Sequence, residues 1–176
     1  MKIKHVVFVM CMCLVFAVVG CGKKGAEPVA VDEKNDKCDV CNMAVMDNQF
    51  ATEVILENGK ALKFDDIGCM YKWMDEHKNE KTQEKFVRDY HTKDWISLDK
   101  ATYVYDKTIK TPMAYNVISF KEKKDAENFV SKHAGKVLSY KELTDHKWEM
   151  NKEMMGKMKK EHGKENGKEN NSGHSH

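Results

Sequence analysis

Proline and glycine are scarce in this sequence, which contains two prolines and ten glycines in 176 residues. That scarcity excludes a collagen-like or proline-rich filament. An excess of one charge is also absent, because 30 Lys and Arg oppose 28 Asp and Glu to give a net charge of +2. This balance excludes a strongly basic nucleic-acid-binding domain, so no nucleic-acid partner is predicted. Two counts are high instead, with twelve methionines and six cysteines, in a chain long enough for one domain or two small ones.

The N-terminus has the features of an export signal. Residues 6–19 are continuously apolar and follow the positively charged Lys2 and Lys4, as in secretory signal peptides. Gly20 then precedes Cys21, which resembles a bacterial lipobox and implies cleavage before Cys21 and lipid attachment to its sulfur. A membrane-spanning helix is the alternative, but the run is shorter than the ~20 residues that a span requires. We therefore expect a mature chain that Cys21 anchors to the extracytoplasmic face of the cell membrane.

Three cysteines remain once the signal peptide is removed and Cys21 is acylated. They are Cys38, Cys41 and Cys69, and an odd number does not favour a multi-disulfide scaffold even in an exported protein. A disulfide between Cys38 and Cys41 stays an open alternative. Because an exported protein that keeps free thiols usually uses them, all three are candidate functional residues.

Hydrophobic periodicity predicts a mixture of strands and helices. Alternating residues predict strands at 51–56, 60–64, 85–90, 95–98, 101–105, 115–120 and 136–140, and a helical period predicts helices at 67–76 and 125–133. Asn58 and Gly59 between the first two strands predict a type I′ hairpin turn. Asp65 or Asp66 is expected to cap the first helix.

The second half of this pattern repeats the first. Residues 64–77 align without a gap with residues 120–133. The alignment pairs Phe64 with Phe120, Trp73 with Phe129 and His77 with His133, and Ala51-Thr52-x-Val54 is echoed by Ala101-Thr102-x-Val104. The predicted fold class is therefore α+β, with two related ββαβ-type units packed as one compact domain and a helical C-terminal extension.

The densest group of chemically active residues is Cys38-x-x-Cys41-x-Met43. Two thiols and a thioether are soft ligands, which select Cu(I) or, among borderline ions, zinc. Zinc would require a second pair of ligands, and no second CxxC or HxxxH is present. A disulfide between the two cysteines with Met43 in the core is the alternative. Thr111-Pro112-Met113 is a second feature, in which a proline fixes the backbone just before a methionine at a strand entry. An ordinary turn with a buried methionine is the alternative.

Several short motifs follow one another along the chain. They are the lipobox, Cys38-x-x-Cys41-x-Met43, Phe64-Asp65-Asp66-Ile67-Gly68-Cys69-Met70, Asp89-Tyr90, Trp95-Ile96, Ala101-x-Tyr103-Val104, Thr111-Pro112-Met113 and Ser119-Phe120. This set of motifs, in this order, resembles the NosL family of copper-binding lipoproteins accessory to nitrous oxide reductase. The resemblance implies Cu(I) as the bound metal and delivery of copper to the catalytic centre of nitrous oxide reductase, with that enzyme and its maturation machinery as partners. It implies Cys41, Met43 and Met113 as the copper ligands.

Two positions depart from the family pattern, which usually has glycine where Asn42 and Ala114 stand. Asparagine tolerates the positive φ that such a glycine suggests, whereas alanine tolerates it less well. Cys38 and Cys69 remain as accessory candidate ligands. Cys69 lies at the predicted start of a helix, where a thiolate is favoured, although a cysteine in such a place is also often a small buried hydrophobe.

The predicted domain organisation has four parts, which are a lipoprotein signal peptide at 1–20, a flexible tether at 21–37, a NosL-like copper-binding domain at 38–143 and a Met- and His-containing helix with a disordered tail at 144–176. Met150, Met154 and Met158 recur at helical spacing in the last part, and the tail is expected to be disordered from His162. This stripe is either a weak copper collector or an adaptable hydrophobic face for a partner.

Three functions are consistent with these features. The first is a Cu(I) carrier without catalysis, since no nucleophile with an adjacent base is found and no catalytic residue is predicted. The second is an extracytoplasmic thiol-disulfide oxidoreductase that uses Cys38 and Cys41. In such enzymes the motif follows a strand and opens a helix, whereas here it follows a tether and leads into a loop. The third is a lipoprotein adaptor whose cysteines only staple its N-terminus.

Overall fold

The computed structural model describes residues 25–169, with side chains as far as Glu161. The predicted signal peptide, Cys21 and the last histidines lie outside the described residues. Among the described residues, seven strands and four α-helices are arranged in the order β1 (Thr52–Leu56), β2 (Ala61–Phe64), α1 (Ile67–Glu76), β3 (Thr82–Arg88), β4 (Trp95–Ser97), a 3₁₀ turn (Leu98–Lys100), β5 (Thr102–Tyr105), β6 (Val117–Phe120), α2 (Lys123–Lys132), β7 (Lys136–Leu138), α3 (Tyr140–Thr144) and α4 (Lys152–Glu169). Within this part of the chain, no helix is long and apolar enough to cross a membrane.

The strands form two antiparallel sheets with the same topology. The first sheet has the order β2-β1-β3-β4 and the second has the order β6-β5-β7, so the first strand of each unit is central. Thr52 pairs with Phe64 in the first sheet, and Thr102 pairs with Phe120 in the second. The internal repeat aligns Thr52 with Thr102 and Phe64 with Phe120, so the two sheets contain equivalent cross-strand pairs. The predicted α+β class and its two ββαβ units are confirmed.

The helices α1 and α2 end in the same way. The His77 ring stacks on Trp73 with ring centroids 4.5 Å apart, and the His133 ring stacks on Phe129 at the same distance. Each histidine also donates its backbone N–H to the carbonyl of that aromatic residue. The histidines therefore close the helices as capping residues.

The first hairpin differs from its prediction. A type I′ turn requires positive φ at both central residues, but of Asn58 and Gly59 only Gly59 has one, at 82°. The Gly59 N–H bonds to the Leu56 carbonyl, and the Leu56 N–H bonds to the Lys60 carbonyl. The type I′ prediction was wrong because the loop contains one more residue, and a single left-handed glycine completes it.

Two strands also differ from their predicted ends. The third strand ends at Arg88 rather than 90, because the Asp89 carboxylate accepts the backbone N–H groups of His91 and Thr92. The sixth strand begins at Val117 rather than 115, because Ala114 and Asn116 both have positive φ. Both changes follow from turn conformations that hydrophobic alternation does not report.

The segment predicted as a flexible tether is attached to the first sheet from Val29 onwards. The buried Glu53 carboxylate accepts the Val29 N–H at 3.0 Å and pairs with the Lys63 ammonium, which also bonds the Val29 carbonyl. Lys37 forms an isolated β-bridge with Ala44. Buried charges are stable when they are paired and hydrogen-bonded. Here that requirement fixes the chain at Val29, ahead of Cys38.

Packing also continues past the predicted domain end at 143. Trp148 stacks on Tyr71 with centroids 4.3 Å apart, although it follows the last short helix. Residues 145–151 are not helical, and the last helix begins at Lys152. The predicted start of the disordered tail, His162, lies within this helix, which continues to Glu169. Its Glu153–Lys157 pair is of the i, i+4 type that stabilises helices.

Candidate metal centre

Cys69 meets the sequence-adjacent pair Cys38 and Cys41 at one place. The Sγ atoms of Cys38, Cys41 and Cys69 and a carboxylate oxygen of Asp65 all lie within 4.8 Å of one another. Cys38, Asp65 and Cys69 are buried, whereas Cys41 is half-buried at the edge of the cluster. All three cysteines are free thiols. We call these four residues the thiol cluster.

The loop that carries Cys38 and Cys41 is closed by its own backbone. The Cys38 N–H donates to the Met43 carbonyl at 2.8 Å, and the Asn42 N–H donates to the Cys38 carbonyl at 2.9 Å. Asn42 has a φ of 60°, the left-handed conformation that was expected where the family usually has glycine. Asp39 fastens the loop to the edge strand β2, since its N–H and carboxylate bond the Lys63 carbonyl and N–H.

The other half of the cluster is the first turn of α1. Asp66 caps this helix, and its carboxylate accepts the Gly68 N–H at 3.0 Å. Asp65 precedes the cap and Cys69 lies in the first turn. A Cβ placed on Gly68 would lie 2.0 Å from the Tyr115 ring, so glycine is required there for close packing. The Phe64–Met70 motif therefore encodes both a cap and a close contact.

Asp66 also joins the second structural unit to this site. Its Oδ2 atom accepts the Thr111 hydroxyl at 2.6 Å and the Met113 N–H at 2.9 Å. Thr111 and Met113 belong to the long connection between β5 and β6. Ala114, the next residue, has a φ of 55°, as expected at a position where the family usually has glycine. The Thr-Pro-Met element is thus held at the N-terminal end of α1, next to the thiol cluster.

The pKa values of the two buried cysteines, Cys38 and Cys69, are shifted in opposite directions. A hydrogen bond from the Cys69 thiol lowers the pKa of Cys38 to about 4, against the opposing effect of burial. The same hydrogen bond, together with burial, raises the pKa of Cys69 far above its usual range. At neutral pH this pair therefore holds one thiolate, the form of cysteine that binds metals.

Cys41 and Asp65 complete the electrostatics of the cluster. Burial raises the pKa of Cys41 to about 12, and the neighbouring negative charges act in the same direction. Burial and the Cys38 thiolate raise the pKa of Asp65 to about 6. The Cys41 thiol donates to Asp65 Oδ2 at 3.3 Å, while the buried Oδ1 has no hydrogen-bond partner among the described residues. A positive ion would relieve this concentration of negative charge.

The three predicted ligands differ in their position relative to the thiol cluster and in their exposure. Cys41 is part of the thiol cluster together with both accessory candidates, Cys38 and Cys69. Met43 lies at the end of the same loop with 53% of its surface exposed. Met113 is half-buried, packs against the core and has its backbone fixed by Asp66. Three sulfurs within 4.8 Å of one another, with Met43 on the same loop and the Met113 backbone bonded to Asp66, are a soft donor set, which fits Cu(I).

Sequence reasoning missed two acidic residues of this site. Asp65 belongs to the cluster, and Asp66 organises both sides of it. The sequence offered both only as alternative helix caps. The signal was nevertheless present, since two adjacent acids precede a helix whose first turn carries a cysteine, and a carboxylate beside a thiol is a potential ligand or proton acceptor.

Known proteins are similar to this chain in sequence and in fold. A relative from Stutzerimonas stutzeri, a copper-binding lipoprotein NosL, is 29% identical over 144 residues, which span 74% of this chain and 75% of the relative. The crystal structure of the copper chaperone NosL from Shewanella denitrificans is similar in fold, with a TM-score of 0.58 at 20% identity over 66% of this chain and 94% of that one. The family model NosL matches residues 28–148, and the chain therefore belongs to the NosL family.

Proposed function

We propose that this protein is a membrane-anchored Cu(I) metallochaperone that delivers copper for assembly of the nitrous oxide reductase copper centre. Membership of the NosL family supports this function, and the thiol cluster is the observation that carries it. The relatives are named as a copper-binding lipoprotein and a copper chaperone. Cys21 would provide the lipid anchor on the extracytoplasmic face, where an exported copper enzyme is accessible to it.

In this proposal Cys41, Met43 and Met113 are the ligands from which copper leaves. Cys41 lies at the edge of the thiol cluster, and Met43 is the most exposed of the three. Because both thioethers are neutral, the Cys41 thiolate supplies the only charge of this set, and a partner thiolate can displace the methionines at low cost. Cys38 and Cys69 lie behind Cys41 and offer further sulfur to the same ion.

Binding of Cu(I) requires that Cys41 lose its proton. Its pKa is raised to about 12 without metal, so the metal has to compete with the proton for the sulfur. The Cys41 thiol already donates to Asp65 at 3.3 Å, which provides a nearby acceptor for that proton. Asp65 is thus proposed as the residue that takes up the proton when copper enters, and copper affinity is expected to fall in acid.

No catalytic activity is proposed. The alternative of a thiol-disulfide oxidoreductase would place Cys38-x-x-Cys41 after a strand and at the start of a helix. Here the pair lies in a loop, and the nearby helix begins after Asp66. The Thr111 hydroxyl is engaged by Asp66. Insulin reduction at a rate comparable to that of a dedicated oxidoreductase would favour the alternative.

Anaerobic Cu(I) titration against a chromophoric chelator tests the proposed ligand set. Cys41→Ser should weaken binding most, because it removes the charged ligand, and Met43→Leu and Met113→Leu should weaken it less at nearly constant side-chain volume. Met46→Leu is the matched control for Met43, since Met46 is also exposed, at 47%, and lies near the same loop. Equal affinity in Met43→Leu, Met113→Leu and Met46→Leu, or X-ray absorption with only N and O scatterers, would refute the ligand set.

A further inference from the structure

The last helix is held against the connection that carries Met113. The Asn151 N–H donates to the Ala114 carbonyl at 2.9 Å, and the Asn151 side-chain amide donates to the Lys107 carbonyl at 3.2 Å. Ten residues later, Glu161 pairs with Lys110 at 3.3 Å. These contacts align the start of α4 with the long connection between β5 and β6, so the helix has a defined position on the domain.

A groove of about 620 Å³ runs between the helix and this connection, and three methionines line it. Met154 and Met158 lie on α4 four residues apart, which places them about one helical turn, ~6 Å, apart on the same side of the helix. Met150 precedes the helix and lines the same groove. All three are half-buried rather than fully enclosed. Met155 is half-buried too but does not line the groove.

The charged groups of the groove are largely paired with each other. Lys157 bonds Glu153 at 2.7 Å, and Lys110 pairs with Glu161. Lys107 and Glu149 also line the groove, and its three thioethers are neutral. Asn116 donates its side-chain amide to the Met154 sulfur at 3.2 Å, which orients that thioether and leaves its other lone pair free. A row of neutral sulfur ligands is suited to a soft monovalent ion and poorly suited to hard divalent ions.

We propose that Met150, Met154 and Met158 form a second Cu(I) site that uses only thioethers. The site differs from the thiol cluster in having no ligand that must lose a proton. Copper does not have to compete with a proton for these ligands, and the site binds more weakly than the thiol cluster because its three sulfur ligands are neutral. Since Asn151 is bonded to the residue after Met113, the second site lies on the same connection as a proposed ligand of the first. The existence of the second site does not depend on the proposed function, whereas its use as a store for the first does.

Silver(I) is a suitable probe, because it is soft, monovalent and redox-silent. The mature chain would be labelled with ¹³C-methyl methionine and titrated with Ag(I), and the result repeated with Cu(I) under anaerobic conditions. The methyl signals of Met150, Met154 and Met158, assigned by single leucine variants, should shift together in an equivalent that follows the first. The Met155 signal should shift less. Absence of shifts from all three groove methyls would overturn the proposal.

Stoichiometry provides the second arm of the test. The triple variant Met150→Leu, Met154→Leu and Met158→Leu should bind one equivalent fewer than the wild type, and leucine retains the helix propensity and the volume of methionine. Met155→Leu is the matched control and should bind as many as the wild type. Unchanged stoichiometry in the triple variant would overturn the second site. Cys41→Ser separates the two proposals, because it should weaken the first equivalent and leave the shifts of the groove methyls intact.

Discussion

Removal of the Asp66 carboxylate should destabilise the fold more than any other single change at a helix cap of this protein. The side chain is 1% exposed and accepts hydrogen bonds from the Gly68 N–H, the Met113 N–H and the Thr111 hydroxyl. Asp66→Ala leaves these donors without their acceptor. A buried donor without a partner costs about 1–3 kcal/mol. The Thr111 hydroxyl can rotate to another acceptor, so we count the two backbone groups and expect a loss of about 3 kcal/mol.

The second structural unit supplies a matched control. Glu122 is the N-cap of α2 at the aligned position, but its side chain makes no capping hydrogen bond. Glu122→Ala should change the free energy of unfolding by less than about 0.5 kcal/mol, as is usual at exposed sites. Asp66→Asn should fall between the two, because its carbonyl oxygen can accept one N–H while its amide group repels the other.

Urea unfolding monitored by tryptophan fluorescence measures these differences, with equal m values as the condition for comparison. Copper titration of Asp66→Asn adds a second readout, since loosening of the Met113 backbone should weaken Cu(I) binding while Cys41 stays in place. A loss in Asp66→Ala that is within about 1 kcal/mol of the loss in Glu122→Ala would show that the buried bonds are worth far less than the per-bond value used here.

Three further predictions concern backbone conformation, close packing and acid sensitivity. Asn42→Ala should cost about 1 kcal/mol because of its left-handed φ, whereas Asn42→Gly should be nearly neutral in the same unfolding assay; equal costs would contradict this. Gly68→Ala should cost about 1–3 kcal/mol through overpacking against Tyr115, while Gly156→Ala, where a Cβ meets nothing, should be neutral or stabilising. Burial raises the pKa of Asp89, but backbone N–H donors outweigh it and lower the pKa below its usual value; its stabilisation is therefore present above pH ~4 and lost below it. Asp89→Asn should flatten this acid dependence, and parallel stability curves would argue against it.

Local patterns were sufficient to predict the elements of the fold. Hydrophobic alternation located the strands, and the gap-free alignment of 64–77 with 120–133 predicted the repeated topology, because residues at equivalent places in two packed units meet equivalent neighbours. What failed was the type of the Asn58–Gly59 turn and the ends of two strands. In each case one residue with positive φ, or one carboxylate bonded to the backbone, decided the outcome. Such choices involve free-energy differences of about 1 kcal/mol, which a periodicity argument does not resolve.

The candidate site was less accessible from the sequence. Cys38 and Cys41 could be paired from their spacing, but their meeting with Cys69 depends on how α1 packs beside β2. The bond from Thr111 to Asp66 spans 45 residues, and no local signal encodes a contact of that range. The ligand set of Cys41, Met43 and Met113 thus remains a prediction that rests on resemblance, while the thiol cluster is a result of the fold.

The repeat explains why the two structural units contribute different parts of this site. In the first unit, Asp65 and Asp66 precede α1, and Cys69 lies in its first turn. The aligned positions of the second unit hold Lys121, Glu122 and Asp125. The second helix therefore has no sulfur ligand and no buried capping carboxylate. What the second unit provides instead is its hairpin connection, which is long where the first is a tight turn and which reaches the N-terminal end of α1. A thiol cluster in one unit and a methionine-bearing connection from the other meet at Asp66. The hydrogen bonds of that single buried carboxylate therefore connect the packing of the two units to the proposed geometry of the copper site.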